Sequence, residues 1–274
     1  IRLEAAAAKE WNTERGWELT DKALQIRGGR GYETETSLKA RGEPAIGIER
    51  MLRDSRINRI FEGSTEVMHL FIAREAVDKH LHVAGAMIDP KLPVSKKIAR
   101  LPSIAAFYAV WYPTQWLGSL VALFGFGEYG PLATHMRWAA RASRRLARSI
   151  FHGMLWFGPK LERKQGFLFR AVDVALELFA MTASIRRAQL QQGAEHLAAI
   201  QLADQFARGA RRRIDDILRD MWSNDDEEKN ALSASILAGK QAWLERGTMG
   251  VPYTVEQMRP ETMGTKPEMA RSSV

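Results

Sequence analysis

Apolar residues recur at three- and four-residue intervals through most of this sequence, and this period restricts the chain to a helical fold. Val67, Leu70 and Phe71 fall on one face of such a run. No segment is rich in strand-forming residues, and no internal repeat is present. With 46% apolar residues to form cores, the sequence predicts an all-α fold: a helical bundle followed by an additional helical domain. The periodic runs cover 1–26, 131–157, 165–191, 194–222 and 227–246.

Interruptions of this period predict how the chain is divided. The stretch from Asp89 to Pro93 breaks the pattern and separates a first domain, 1–88, from a second, 89–246. Residues 247–274 contain Gly, Pro, Thr and Ser without any period, so we expect a loose tail there. Residues 34–47 carry several turn-forming residues and are predicted to form a surface loop.

A carboxylate stands just before one predicted helix start. Ser64 or Thr65 is suited to be the N-cap, with Glu66 in the first turn. Glu62, followed by Gly63, therefore precedes a helix N-terminus, where several backbone N–H groups lack partners. A carboxylate beside such an oxygen-binding position suits a general base that acts on a carbonyl compound. Spacing alone favours the simpler interpretation, in which Glu62 is only an acid at a helix start.

Four segments carry unusual motifs: AAAAKEWNTERGWELTDKAL (5–24), QIRGGRGYE (25–33), ERMLRD (49–54) and RIFEGSTEVMHLFIARE (59–75). In their order and internal spacing they resemble the C-terminal helical domain of acyl-CoA dehydrogenases. The region after residue 89 resembles the extension of very-long-chain members and their bacterial relatives. The family's N-terminal helical domain and central β-domain are not visible in this sequence. Because Ile1 already lies inside a helical pattern, we expect a fragment. The resemblance implies that the other two domains hold much of the FAD and CoA site, so we expect the fragment to be inactive alone.

The resemblance implies how a substrate is handled. Glu62 matches the catalytic base, which removes the α-proton of an acyl-CoA thioester while flavin N5 accepts hydride from the β-carbon. The product is a trans-2-enoyl-CoA, as in fatty-acid β-oxidation, and longer acyl chains are expected. Gly63 matches the residue that lies along the thioester. Arg74 matches an arginine on the substrate side of the following helix.

The resemblance also implies FAD as the cofactor and several partners. We expect a homodimer or tetramer, electron transfer to electron-transferring flavoprotein, and a location in a bacterial cytoplasm or the mitochondrial matrix. The GGRG motif alone is weak evidence for a cofactor site, because glycines also end helices. The residues matched to FAD contacts are Ser64 and Glu66 and, towards the FAD of a partner subunit, Gln25, Arg27, Gly28 and Gly29.

The stretch from Leu101 to Gly127 contains no charged residue. It is long enough to span a membrane, but Pro113 lies near its middle and predicts a break. Three interpretations remain: a helical hairpin buried in a core, a hairpin that docks on a membrane surface, and a true span. The helix that follows, 131–157, has five arginines along one side, which suits anionic lipid or simply water. We therefore include peripheral membrane contact through Leu101 to Arg148.

The formal net charge of +8 suits an anionic partner or a solvated arginine surface. Some relatives of the acyl-CoA dehydrogenase fold bind DNA through a basic C-terminal domain, so a non-enzymatic DNA-binding or membrane-binding protein is the alternative. The presence of Glu62, Gly63 and Arg74 disfavours nucleic acid as a partner. An acyl-CoA oxidase, which passes electrons to oxygen, is a further alternative. The absence of cysteine excludes thiolate metal sites, the six histidines form no metal-binding pattern, and no metal is predicted.

Overall fold

A computed structural model describes residues 2–87, 89 and 91–245. Every regular element in this part of the chain is helical, which confirms the predicted all-α class. The predicted tail, 247–274, lies outside the described residues. Short 3₁₀ segments connect several of the helices. The α-helices are α1 (Arg2–Arg27), α2 (Gly29–Tyr32), α3 (Glu35–Ala40), α4 (Ile48–Ile57), α5 (Thr65–Ala84), α6 (Val94–Val121), α7 (Ala133–Phe157), α8 (Gln165–Leu190), α9 (His196–Asp220) and α10 (Asp226–Leu237).

The chain up to Ser223 forms one compact unit with two apolar cores that share α8. One face of α8 covers α1 and α5, where Val172 and Leu176 meet Ala6, Ile72 and similar residues. The opposite side packs between α7 and α9 and includes fully buried Met181 and Ile185. Burying one such side chain contributes roughly 1.5–3 kcal/mol. The predicted boundary at residue 89 stays a prediction, and helices from both of its sides contribute to this unit.

The second unit begins at Asn224 and contains α10. Three acidic residues occupy the first turn of this helix, where they interact favourably with the positive end of the helix dipole. Lys229 lies 2.7 Å from the carboxylate of Asp225, the residue that precedes α10. The predicted helix over 227–246 is therefore present but ends earlier, at Leu237.

The prediction of a surface loop at 34–47 is wrong for the first half of that stretch, which forms α3. Thr34 caps this helix, and its Leu38 is fully buried. The buried face of α5 holds His69, Ile72 and Ala73, whereas Val67 and Leu70 are exposed. Burial thus follows the contact with α1 and α8, not the most apolar stripe of the sequence.

The predicted break at Pro113 is also wrong, because α6 continues through it from Val94 to Val121. Arginines of α7 stabilise this part of α6. Arg144 donates to the carbonyl of Thr114 (3.2 Å), and Arg148 donates to the carbonyl of Gln115 (2.9 Å). The hairpin interpretations are therefore replaced by one helix that lies along α7. Among the described residues, no helix combines the length and apolar character that crossing a membrane requires.

Candidate active site

The loop between α4 and α5 presents the candidate base. Ser64 caps α5, since its hydroxyl accepts a hydrogen bond from the N–H of Val67 (3.4 Å). This confirms one of the two predicted N-caps. The N–H of Thr65 donates to the carbonyl of Arg59 (3.2 Å) and closes the loop at its base. Glu62 projects from this closed loop and is exposed.

Glu62 and Gly63 both adopt positive φ angles, 52° and 99°. Positive φ is uncommon for a residue with a side chain, and such conformations persist where neighbouring contacts hold them. The φ of Gly63 is one that residues with a side chain rarely adopt, and a β-carbon there would lie 2.7 Å from the sulfur of Met68, which would have to move. Glu62 is thus held on a tight turn, and the residue that follows it, Gly63, has no side chain to cover the backbone.

Helix α1 lies behind this loop and contacts it at several points. The ammonium of Lys9 donates a hydrogen bond to the carbonyl of Gly63. Arg59 forms an ion pair with Glu14 (3.6 Å), and its guanidinium lies 5.2 Å from the ring centroid of Trp17. These contacts tie both ends of the loop to α1.

A buried polar cluster joins α1, α5 and α8 one turn beyond Ser64. His69 lies between the carboxylates of Asp173 (Nε2 to Oδ1, 3.0 Å) and Glu10 (Nδ1 to Oε1, 3.7 Å). Glu10 is fully buried, and neither of its oxygens has a hydrogen-bond partner among the described residues. Burial raises the pKa of Glu10, although the positive charge of His69 acts in the opposite direction. Burial disfavours the charged form of His69, but Asp173, the Thr65 carbonyl and Glu10 together raise its pKa.

The other predicted site residues on α5 are near the surface. A hydrogen bond from its own backbone N–H, and then one from Ser64, hold the pKa of Glu66 below its usual range. Arg74 is exposed and forms an ion pair with Asp78 (2.7 Å). It stands ten residues after Ser64, which is about 15 Å along the helix. The structure therefore brings Glu62, Gly63, Ser64 and Glu66 together and leaves Arg74 two to three turns away.

The glycine-rich segment lies at the far end of α1. Helix α1 ends at Arg27, and Gly28 follows with a φ of 60°. A β-carbon on Gly31 would lie 2.6 Å from the carbonyl oxygen of Leu24, so the chain turns back closely on the helix. Gln25 is sixteen residues from Lys9, about 24 Å along α1. Gln25, Arg27, Gly28 and Gly29 are therefore not part of the group around Glu62.

Among the residues that the structure describes, no group of three or more His, Cys, Asp or Glu side chains is arranged to hold a metal ion. The sequence did not indicate the roles of Lys9, Glu10, Arg59 or His69. Their contacts with the site join different helices, and no local motif marks them.

Comparisons with known proteins agree with this architecture. Residues 1–77 match the sequence model described as acyl-CoA dehydrogenase, C-terminal domain. A probable acyl-CoA dehydrogenase, FadE10 of Mycobacterium tuberculosis H37Rv, is 46% identical over 252 residues, covering 91% of this chain and 39% of that protein. The human mitochondrial very long-chain specific acyl-CoA dehydrogenase is 28% identical over 251 residues, covering 90% of this chain and 36% of that protein.

A solved structure has a similar fold. An acyl-CoA dehydrogenase from Bacillus anthracis, complexed with FAD, superposes with a TM-score of 0.58 at 21% identity, covering 96% of this chain and 39% of that one. The chain thus spans less than two fifths of the length of each of these three proteins. Residues 1–77 therefore match the acyl-CoA dehydrogenase C-terminal domain, and the similarity to proteins named acyl-CoA dehydrogenase continues along about nine tenths of the chain.

Proposed function

We propose that this chain is the C-terminal part of an FAD-dependent acyl-CoA dehydrogenase, in which Glu62 removes the α-proton of the acyl-CoA substrate. One observation carries the proposal: the carboxylate stands exposed on a loop that α1 holds from behind, next to a glycine whose positive φ disfavours a side chain. A general base needs a fixed position and an open approach for its substrate. An acid with only a capping role would not need the positive φ angle of Glu62.

The residues present fit an FAD contact at two places. At the start of α5, the Ser64 hydroxyl accepts a bond from Val67 and donates to Glu66, so its oxygen retains one lone pair for a donor of a ligand. At the end of α1, the Nε of Arg27 is buried without a partner among the described residues, beside Gly28, where a β-carbon would meet nothing within 4 Å. FAD, when bound, would accept hydride from the substrate β-carbon. Glu66 and Gln25 are exposed and free to contact the same cofactor or that of a second subunit.

Two finer statements extend the proposal. The preferred substrates are longer acyl-CoA thioesters, supported by similarity to the very long-chain specific enzyme along 90% of this chain. The enzyme is a homodimer or tetramer that passes electrons to electron-transferring flavoprotein. Ile26 and Tyr32 flank the glycine segment and are 86% and 79% exposed, which suits contact with another subunit.

The test uses the full-length protein purified with FAD and mixed anaerobically with palmitoyl-CoA. The loss of visible flavin absorbance reports substrate oxidation. Glu62→Gln should slow it about 10²–10⁴-fold with FAD still bound. Glu75→Gln, an exposed position on α5, is the matched control and should behave as wild type. Equal rates for wild type and Glu62→Gln would place the base elsewhere. A wild type that no acyl-CoA reduces, from short to very long, would favour a binding protein.

A second candidate function, docking on an anionic membrane surface, is favoured by α6. No residue of α6 is buried, and Leu120, Val121 and Phe124 near its end are 60%, 70% and 87% exposed. Lys96 and Lys97 stand in its first turn, about 36 Å along the helix from Leu120. A helix with exposed apolar residues and basic residues along its length can lie on anionic lipid.

Flotation separates this candidate from a surface that only packs against protein. The full-length protein should float with vesicles of phosphatidylglycerol and phosphatidylcholine, and less with phosphatidylcholine alone. Leu120→Ser combined with Phe124→Ser should abolish flotation, whereas Leu197→Ser on α9, also a well-exposed leucine, should not. If wild type fails to float at low salt, α6 does not dock on lipid.

A further inference from the structure

We propose that Lys9 is a positioning residue for Glu62: its ammonium holds the backbone of Gly63 and thereby sets where the glutamate carboxylate points. The inference rests on the proposed function, since it concerns the same base. Lys9 directly follows a run of four alanines in α1, 53 residues before Glu62.

The ammonium group of Lys9 is used in the contact with Gly63. Its Nζ donates to the carbonyl oxygen of Gly63, and the side chain is half-buried. In the described part of the chain Lys9 forms no ion pair with a carboxylate, so this carbonyl is the acceptor that its position provides. Hydrogen bonds from a charged donor are stronger and shorter than neutral ones, and removing such a donor leaves the acceptor unsatisfied.

The carbonyl of Gly63 belongs to a turn with an unfavourable backbone conformation, which other contacts must stabilise. Glu62 and Gly63 have consecutive positive φ angles, and the bond from Thr65 to Arg59 closes the loop only at its base. Lys9 acts from outside the loop, on the residue next to Glu62. Without it, the peptide after Gly63 can rotate, and the direction of the Glu62 side chain changes with it.

Lys9 can do this because α1 is fixed against α5 at the next residue. Glu10 is buried against His69, which in turn bonds Asp173 of α8. The stem of Lys9 thus starts from a backbone position that three helices hold. A lysine on a helix that is not packed against others would hold its ammonium group in a less defined position.

The variant Lys9→Met keeps the apolar stem and removes the ammonium. In full-length protein loaded with FAD, single-turnover flavin reduction by palmitoyl-CoA should fall about 10- to 100-fold, the loss expected when a reacting group is displaced by about an ångström. Substrate affinity and FAD content should stay at wild-type levels. The α-deuterium isotope effect should rise, because proton transfer becomes slower. Lys9→Gln, which keeps a donor, should recover part of the rate, and Lys22→Met, an exposed position on α1, is the control.

Amide hydrogen exchange provides a readout that does not depend on activity. The N–H of Thr65 should exchange faster in Lys9→Met than in Lys22→Met. Wild-type reduction rates and wild-type exchange in Lys9→Met would overturn the inference. So would a loss of FAD with an unchanged rate in the loaded fraction, since that describes a purely structural lysine. Failure of the proposed function looks different: neither wild type nor any variant reduces the flavin, and Glu62→Gln has no effect to compare.

Discussion

Two neighbouring residues, Glu62 and Gly63, concentrate the conformational strain of the candidate site. A non-glycine residue with positive φ costs roughly 1–3 kcal/mol. The turn is maintained by Lys9, by the cap at Ser64 and by the bond from Thr65 to Arg59. The stability that these contacts provide is thus used to hold a carboxylate in an exposed position. Such an arrangement is expected where function, not stability, selects the conformation.

His69 links this loop to the interior. It is 5% exposed, and its titratable neighbours are Glu10 on α1 and Asp173 on α8, with the ring of Phe169 also against it (5.0 Å between centroids). Burial favours neutral His69, but Asp173, the Thr65 carbonyl and Glu10 together outweigh it and raise the pKa of His69. Protonated His69 therefore stabilises the folded chain.

This arrangement predicts a pH-dependent stability. Because the folded pKa of His69 is raised, its contribution is complete below the unfolded value near 6.5 and is lost as pH rises through the folded pKa. His69→Gln should therefore lower the free energy of unfolding most at pH 5–6. Above neutrality the difference from wild type should shrink. Urea denaturation across this range measures it, and a difference that grows with rising pH would contradict the assignment.

At the residue level, the sequence predicts what is local. The cap at Ser64 and the exposed acid before it follow from a short motif. Lys9, Glu10 and His69 do not, because their partners are remote: Lys9 and Gly63 are 54 residues apart, and His69 and Asp173 are 104 apart. The roles of Glu62 and Arg74 came from resemblance and stay predictions.

At the scale of helices, α6 and α7 show how tertiary contacts overrule sequence patterns. The motif around Pro113 predicts a break, yet arginines of α7 donate to the carbonyls of Thr114 and Gln115. A β-carbon on Gly118 would collide with the guanidinium of Arg144, so glycine opens the space that this arginine occupies.

The same contacts change the interpretation of the basic face of α7. Arg137 donates to the carbonyl of Gly125 (2.8 Å), and Arg145 forms an ion pair with Asp215 of α9 (3.2 Å). Together with Arg144 and Arg148, four of the five arginines have protein partners. The face that the sequence offers to lipid or nucleic acid is therefore largely committed to holding α7 against its neighbours.

At the scale of the whole first unit, α8 is the element that both cores require. Leu176 belongs to the core shared with α1 and α5, whereas Ile185 belongs to the core shared with α7 and α9. The all-α class was predictable because it needs only periodicity. The sharing of α8 was not, because it depends on which apolar faces meet.

A shared helix predicts that the two cores unfold together. Leu176→Ala should destabilise the protein by about 2–5 kcal/mol, as for other buried leucines. It should accelerate global amide exchange in α9 as well as in α1. Leu197→Ala, at a position 74% exposed, should change stability by less than about 0.5 kcal/mol. Faster exchange confined to α1 would show that the cores are independent and would support separate domains on either side of residue 89.

The position of α8 also has a consequence for the newly made chain. When Ala84 leaves the ribosome, α1 and α5 have been synthesised, but the helix that covers their apolar faces is still about a hundred residues from completion. At about 5–20 residues per second, that interval lasts roughly 5–20 s. Throughout it, Ile72 and its neighbours are exposed to water, and they are then a natural binding site for a chaperone. The delay between the synthesis of the two halves of this core is therefore the period in which we expect the chain to be most prone to aggregate.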